Sequence, residues 1–222
     1  MKNNLALFDL DHTLIPKDSD LCWTEFLIEK KVIKKEYTRA NENFFIQYNN
    51  GTLDIHEFLS FQLKPLCSLP MSQLITLREE FIRLSIKPII SINATNIVDK
   101  HIKNGDICAI VTATNEFITE PITKLFNIPT LIATSLEKNL LGEFTGKAKG
   151  KPNFREGKVT NVLQWLATQN LDFNDFEKSF FYSDSINDLP LLSKVNCPVA
   201  MNPDKKLRAH AVESGWKIEE IF

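Results

Sequence analysis

Glycine is scarce in this sequence: 222 residues contain seven, where average usage gives about fifteen. That leaves little material for flexible linkers or low-complexity tracts. Cysteine is sparse as well. Cys22, Cys67, Cys108 and Cys197 lie far apart and form no C-x-x-C pair. This excludes a zinc ribbon or disulfide frame and points to reduced thiols in a cytoplasmic protein. Neither sign of charge dominates: 26 Lys and Arg meet 28 Asp and Glu, a net of −2. Such a balance gives no electrostatic footprint for nucleic acid or an anionic membrane. No apolar run approaches the roughly 18 residues of a membrane span, and Met1-Lys2-Asn3-Asn4 leads straight into a strand with no signal peptide. The expectation is a cytoplasmic monomer or homodimer without nucleic-acid or membrane partners.

Against these absences stands an ordinary supply of core material, 43% hydrophobic residues with 24% charged. The length suits one domain, or a core domain with a modest insertion. One stretch organises the rest. Leu5-Ala6-Leu7-Phe8 runs into Asp9-Leu10-Asp11-His12-Thr13-Leu14. The apolar run predicts a buried parallel strand. The two acids after it, two residues apart, start on one side of that strand. At the carboxyl end of a central strand they open into the crevice where α/β sheets bind ligands. Two acids there repel unless a cation, a proton or strong donors compensate. A blander reading makes the stretch a turn, with Asp as a cap and Thr13 at a helix N-cap.

Residues 16–90 contain no convincing strand. Helical stripes are carried by Leu21, Trp23, Phe26 and Leu27 after Ser19 as cap, then by Tyr37, Ala40, Phe44, Phe45 and Tyr48. Ile55, Phe58, Leu59 and Leu63 make a third, and Leu74, Leu77, Phe81 and Leu84 a fourth. The aromatics are expected to form a small core of the insertion's own. From residue 92 helices and strands alternate: strands at 107–112, 130–133, 178–182, 197–201 and 216–218, a hairpin or flap at 136–148, and helices between. A helix around 116–126 contains Pro121, which places its first turn near that residue. Alternation of this kind means βαβ units and a mainly parallel sheet. The expected fold is α/β, a three-layer Rossmann-like core of residues 1–15 plus 91–222, with an all-helical cap of residues 16–90.

Three later strand or helix ends carry chemistry. Val111-Thr112-Ala113-Thr114 offers a hydroxyl and backbone amides ahead of a helix, suited to an anion. Taken alone, Thr112 reads more readily as a helix N-cap. Gly157-Lys158 puts a cation near a helix start, where the dipole disfavours it; its bland counterpart is a solvated lysine. Ser183-Asp184-Ser185-Ile186-Asn187-Asp188 ends another strand with two more acids. Four acids at two strand ends of one parallel sheet imply a cation, and all-oxygen ligands suit Mg²⁺.

These four motifs, in this order and with helices inserted after the first, resemble the haloacid dehalogenase (HAD) superfamily of phosphohydrolases. The insertion is similar to the cap of the subfamily that contains phosphoserine phosphatase (subfamily IB). The resemblance implies a Mg²⁺-dependent phosphomonoester hydrolase acting on a small phosphorylated metabolite. It makes Asp9 the nucleophile that becomes an aspartyl phosphate and Asp11 the general acid and base. It gives the metal to the Asp9 carboxylate, the Asp11 backbone carbonyl and Asp184, with Asp188 behind them. It assigns Thr112, Ala113, Lys158 and Asn187 to the phosphoryl oxygens. A phosphotransferase using the same phospho-Asp9, or a non-catalytic phosphate-binding regulator, are the alternatives on this fold.

The histidines carry little weight in this reading: His12 is expected to face away from the metal, and His101 and His210 to be surface or boundary residues. Substrate choice falls to the cap. Phosphoserine phosphatases use a glutamate after the first motif and a cap arginine. Here the loop offers Asp18 and Asp20, while no arginine lies between Arg39 and Arg78. His56 and Lys64 are the only cations from Thr52 to Met71, and lysine does not replace a bidentate guanidinium. The expected substrate is therefore an amine- or hydroxyl-bearing phosphomonoester without a carboxylate, with Asp18, Asp20 and His56 as candidate contacts.

Overall fold

The structure, a computed structural model, describes residues 4–222. Strand β1, Leu5–Phe8, lies wholly buried. It pairs in parallel with β2 (Ile107–Asn115) on one side and, on the other, with β6, the strand Ser179–Ser183. Between them in sequence come β3 (Thr130–Thr134) and the antiparallel hairpin of β4 (Leu136–Lys138) and β5 (Phe144–Ala148). After β6 follow β7 (Cys197–Met201) and β8 (Lys217–Glu219). The main sheet has the order β3-β2-β1-β6-β7-β8, and every neighbouring pair is parallel. The chain winds outward from β1 in one direction, then returns to its other flank. The crevice at β1 and β6 is thus the switch point of an open α/β sheet, where ligands bind.

Alternation along β1 divides the core. Ala6 and Phe8 face a cluster with α5 (Ile92–Lys103) and α6 (Glu116–Leu125), seen in Val98, Ile118 and Ile122. Leu5 and Leu7 face the opposite cluster, with Val162 and Leu166 of α7 (Glu156–Thr168), Leu191 and Leu192 of α8 (Leu189–Leu192), and Leu207 and Ala211 of α9 (Lys205–Ser214). A strand buried on both faces needs a continuous apolar run, which is what Leu5–Phe8 supplies. The result is a three-layer, Rossmann-like α/β fold. Among the described residues, no helix is long and apolar enough to cross a membrane.

Four helices follow β1: α1 (Ser19–Glu29), α2 (Glu36–Asn50), α3 (Ile55–Gln62) and α4 (Met71–Phe81). Asp18, not Ser19, is the N-cap of α1, its carboxylate accepting from Leu21 N at 2.8 Å. The expected separate core of the insertion is not found. Trp23, Phe26, Leu27 and Phe81 belong to the same buried cluster as Phe8 and Ile110 of the sheet. Trp23 makes the join, stacked on Phe26 at 5.7 Å and edge-on to Phe117 of α6 at 6.2 Å.

Helix α6 begins earlier than Pro121 suggested, because Asn115 caps it by accepting from Ile118 N at 3.2 Å. Pro121 then lies inside the helix and cannot donate to the carbonyl of Phe117, four residues back. Arg78 replaces the missing donor: its Nη1 reaches Phe117 O at 2.8 Å, and its guanidinium lies 4.6 Å from the Phe117 ring centre. His101 also departs from expectation. It is buried, with Nδ1 2.6 Å from Asp106 Oδ2 and Nε2 2.8 Å from the Tyr182 hydroxyl.

Candidate active site

The site is assembled from the carboxyl ends of β1, β2 and β6 and the first turn of α7. Asp9 directly follows β1, and its amide donates to Tyr182 O at 2.9 Å, so the strand pairing itself sets its position. Its Oδ1 accepts from Lys158 Nζ at 2.7 Å. Lys158, in the first turn of α7, is 3% exposed and also donates to Asp188 Oδ2 at 2.7 Å. Asp188 accepts a further bond from the Ser183 hydroxyl at 2.7 Å. The surface-lysine reading is therefore excluded: the cation is clamped between two acids.

Thr13 is neither part of a helix nor a cap of one. Its hydroxyl lies 3.1 Å from Asp9 Oδ2 and 3.2 Å from Asp184 Oδ1, and accepts from Asp184 N at 3.0 Å. The turn that brings it there passes through His12 at φ +56°, and Asn202 Nδ2 donates to His12 O at 3.1 Å. His12 lines the cavity.

Asp11 is held differently from Asp9. Among the described residues no cation bonds its side chain; Ser19 N donates to it at 2.7 Å and the Thr114 hydroxyl at 2.8 Å. Burial pushes its carboxyl up to about 6, with the charge of Asp18 adding to the effect and the Ser19 and Thr114 donors opposing it. Asp9 is pushed up to about 7, chiefly by burial; Lys158 opposes this, while Asp188 and Asp11 reinforce it. Asp184 lies well above the usual carboxylate range through burial and the nearby Asp9 and Asp188. The common physical cause is a surplus of buried negative charge.

That surplus is the test of whether a divalent cation fits. Among the described residues, no three His, Cys, Asp or Glu side chains form a ready-made metal cluster. The donors at hand are instead the carboxylates of Asp9 and Asp184 plus backbone oxygens, an all-oxygen set with few protein ligands. Mg²⁺ suits such a set, because it keeps several waters and takes substrate oxygens. One ammonium, Lys158, serves Asp9 and Asp188 and lies near Asp184; that shortfall of positive charge fits the group.

β2 runs through the expected anion motif to Asn115, with a register shift against β3 between Val111 and Asn115. Thr112, Ala113 and Thr114 line the cavity from this irregular strand end. Thr112 caps no helix; its hydroxyl accepts from Thr114 N at 3.1 Å. Buried Asn153 steadies the segment, donating to Thr112 O and Ile132 O at 2.8 Å each. Asn187 is turned elsewhere: its Oδ1 accepts from Arg155 Nε and Nη2 at 3.1 and 2.8 Å, and its Nδ2 donates to Tyr48 O at 3.2 Å.

A cavity of about 270 Å³ extends from Asp9 and Lys158 under the helical insertion. It is near the lower end of small-molecule sites, about 300–1,000 Å³. Asp18, Asp20, Glu25 and Glu42 line its outer part, together with Phe44, Phe45, Tyr48 and Phe58. Asp20 is buried and accepts from Asn115 Nδ2 at 3.2 Å. His56 is exposed in the first turn of α3 and does not line the cavity. Arg78 does not line it either, being used on Phe117. Sequence reasoning missed Thr13, Thr114, Glu25 and Glu42 as site residues. It also placed the α2 aromatics in a core, since a helical stripe marks a buried face without saying what faces it.

A family model described as haloacid dehalogenase-like hydrolase matches residues 6–193. A histidinol-phosphatase of Neisseria meningitidis is 44% identical over 216 residues, spanning 97% of both chains. A crystal structure of a protein of unknown function from Bordetella pertussis Tohama I superposes with a TM-score of 0.95 at 43% identity, covering all of both chains. A substrate-bound phosphoserine phosphatase structure has the same fold, with a TM-score of 0.65 at 18% identity over 94% of this chain and 90% of that one.

Proposed function

The chain belongs to the haloacid dehalogenase-like hydrolases and is a phosphatase, and from that premise we propose a mechanism and a substrate class. An Asp9 oxygen attacks phosphorus, and the ester P–O bond breaks. The leaving alkoxide takes the proton of the Asp11 carboxyl group. Asp11, now a carboxylate, accepts a proton from the water that attacks the aspartyl phosphate; the bond from phosphorus to Asp9 breaks and phosphate departs. Lys158 holds Asp9 in place and lends positive charge to the phosphoryl oxygens, with Thr112 and the Ala113 amide on their other side. Asp9, the Asp11 carbonyl and Asp184 would hold Mg²⁺, which when bound neutralises charge shared by nucleophile and phosphate. Residues 16–90 act as the cap that encloses the organic part of the substrate.

One observation carries this reading: two carboxylates two residues apart are held in opposite ways. Asp9 is bonded to a buried ammonium, whereas among the described residues Asp11 is bonded by an amide and a hydroxyl. Burial raises both carboxyls; it is the ammonium beside Asp9 alone that supports Asp9 as the anionic nucleophile and Asp11 as the proton carrier. Purified Asp9→Asn should fold but release no phosphate from any monoester; turnover near that of the wild type would end the proposal.

The substrate is a small amino-alcohol phosphate without a carboxylate. Support comes from the outer cavity, where Asp18, Asp20, Glu25 and Glu42 favour an amine and disfavour a second anion. Asp18 already caps α1 and buried Asp20 accepts from Asn115, so Glu25 and Glu42 are the better amine partners. Histidinol phosphate, the compound in the Neisseria relative's name, is an ester of this type.

A further inference from the structure

The wall of the outer cavity comes mainly from one side of α2. Thr38, Asn41, Phe44, Phe45 and Tyr48 all line it, and steps of three and four residues place them on one helix face. Phe58 of α3 completes the wall, edge-on to Phe44 with ring centres 5.4 Å apart. Asn41 differs in kind from these neighbours. It is 6% exposed, and neither its Oδ1 nor its Nδ2 has a hydrogen-bond partner among the described residues. Buried amides are nearly always paired, because an unpaired one loses water and gains nothing in exchange. Asn153, equally buried, shows the usual state: its Nδ2 makes two bonds to carbonyls and its Oδ1 accepts from Asn161. An idle carboxamide beside flat aromatic rings at the edge of a ligand cavity is complementary to a flat ring that itself carries nitrogen.

We propose that Asn41 is a specificity-determining residue, which reads a ring nitrogen of a phosphomonoester bearing a nitrogen heterocycle of imidazole size. The ring lies against Phe44, Phe45, Tyr48 and Phe58. Asn41 Oδ1 accepts from a ring N–H, or Nδ2 donates to a bare ring nitrogen, so either tautomer is met. The inference rests on the amino-alcohol phosphatase reading of this site and adds to it what distinguishes one such ester from another. Selectivity arises because a carbocyclic ring in the same place leaves the amide dry, a large penalty in a closed site.

The test uses the full-length protein loaded with Mg²⁺ and three esters: histidinol phosphate, phenylalaninol phosphate and phosphoethanolamine. Wild type should prefer histidinol over phenylalaninol phosphate in kcat/KM. In Asn41→Leu that ratio should fall roughly ten-fold, mainly through KM for the imidazole ester. The melting temperature should hold or rise, since an unpaired buried amide gives way to an apolar side chain of similar size. Asn41→Ala gives the same comparison should the leucine not be accommodated. An unchanged imidazole-to-phenyl ratio in both variants overturns the inference. So does an equal loss on all three esters together with a lowered melting temperature, which marks a merely structural residue. If wild type releases phosphate from none of the three, it is the underlying substrate reading that fails, and the inference falls with it.

Discussion

Removing the guanidinium of Arg78 tests how α6 tolerates a proline in its interior. In Arg78→Met the carbonyl of Phe117 loses the Arg78 donor, and Pro121 has no N–H to offer in its place. A hydrogen bond from a charged donor contributes about 1.5–3 kcal/mol, and the cation over the Phe117 ring about 0.5–1. The contact with Glu120 at 3.5 Å adds little, since that carboxylate is half exposed. Methionine keeps much of the apolar packing. The net loss is about 2–4 kcal/mol, which for a chain of this size lowers Tm by about 4–16 °C. Pro121→Ala supplies the missing N–H. In the Arg78→Met background it should recover at least about 1 kcal/mol more than it yields in wild type, measured by urea denaturation. Additivity of the two changes within about 0.5 kcal/mol would refute the account. The same Arg78→Met protein should show no altered choice between phosphoserine and amino-alcohol phosphates, because Arg78 does not line the cavity.

Asp11→Asn should lower kcat about 10²–10⁴-fold in a phosphate-release assay, through loss of general acid–base catalysis; a loss below ten-fold would remove Asp11 from that role. Chelation with EDTA should abolish turnover and Mg²⁺ restore it, whereas Ca²⁺, with its larger and looser shell, should restore little. Full activity in a rigorously metal-free preparation contradicts the placing of Asp9 and Asp184. Phosphoserine should trail carboxylate-free amino-alcohol phosphates in kcat/KM by at least ten-fold, about 1.4 kcal/mol of transition-state preference; the opposite order would refute the reading of the outer cavity. Lys158→Met should cut kcat severely and leave Asp9 and Asp188 facing one another in a buried site. Removing one partner of a buried pair costs about 3–5 kcal/mol, so a destabilisation below about 1 kcal/mol by thermal melting would show that the clamp is not formed.

The positions of the candidate residues at strand ends were readable in advance. A four-residue apolar run, buried on both faces, fixes where β1 stops, and Asp9 and Asp11 follow from that stop. Asp184 and Asp188 follow in the same way from β6. Lys158 was legible as an oddity, a cation where the helix dipole disfavours one, but its two partners come from distant segments. What local pattern could not convey was which neighbour a face meets. The α2 stripe reads the same whether it covers a core or walls a cavity. His101 in a helix gives no sign that Asp106 and Tyr182 enclose it. Pro121 pointed to a helix start because the compensating donor, Arg78, sits on another helix.

Arg155 has a non-glycine backbone at φ +51° and ψ −120°, a conformation that persists only where its surroundings enforce it. Its Nη2 donates to Gly51 O, at the end of α2, and to Asn187 Oδ1, at 2.8 Å each. Tyr48 adds a bond to the Ser185 hydroxyl at 2.9 Å. The helix that walls the organic part of the cavity is thereby riveted to the loop that carries Asp184 and Asp188. For an engineer this makes substrate choice and chemistry one transplantable module rather than two. Exchanging α2 alone for that of a relative would cut these rivets and leave the loop held from the core side only, by Thr13, Lys158 and Asp204. A graft that moves Tyr48 and Gly51 together with Arg155, Ser185 and Asn187 would carry its own fastening.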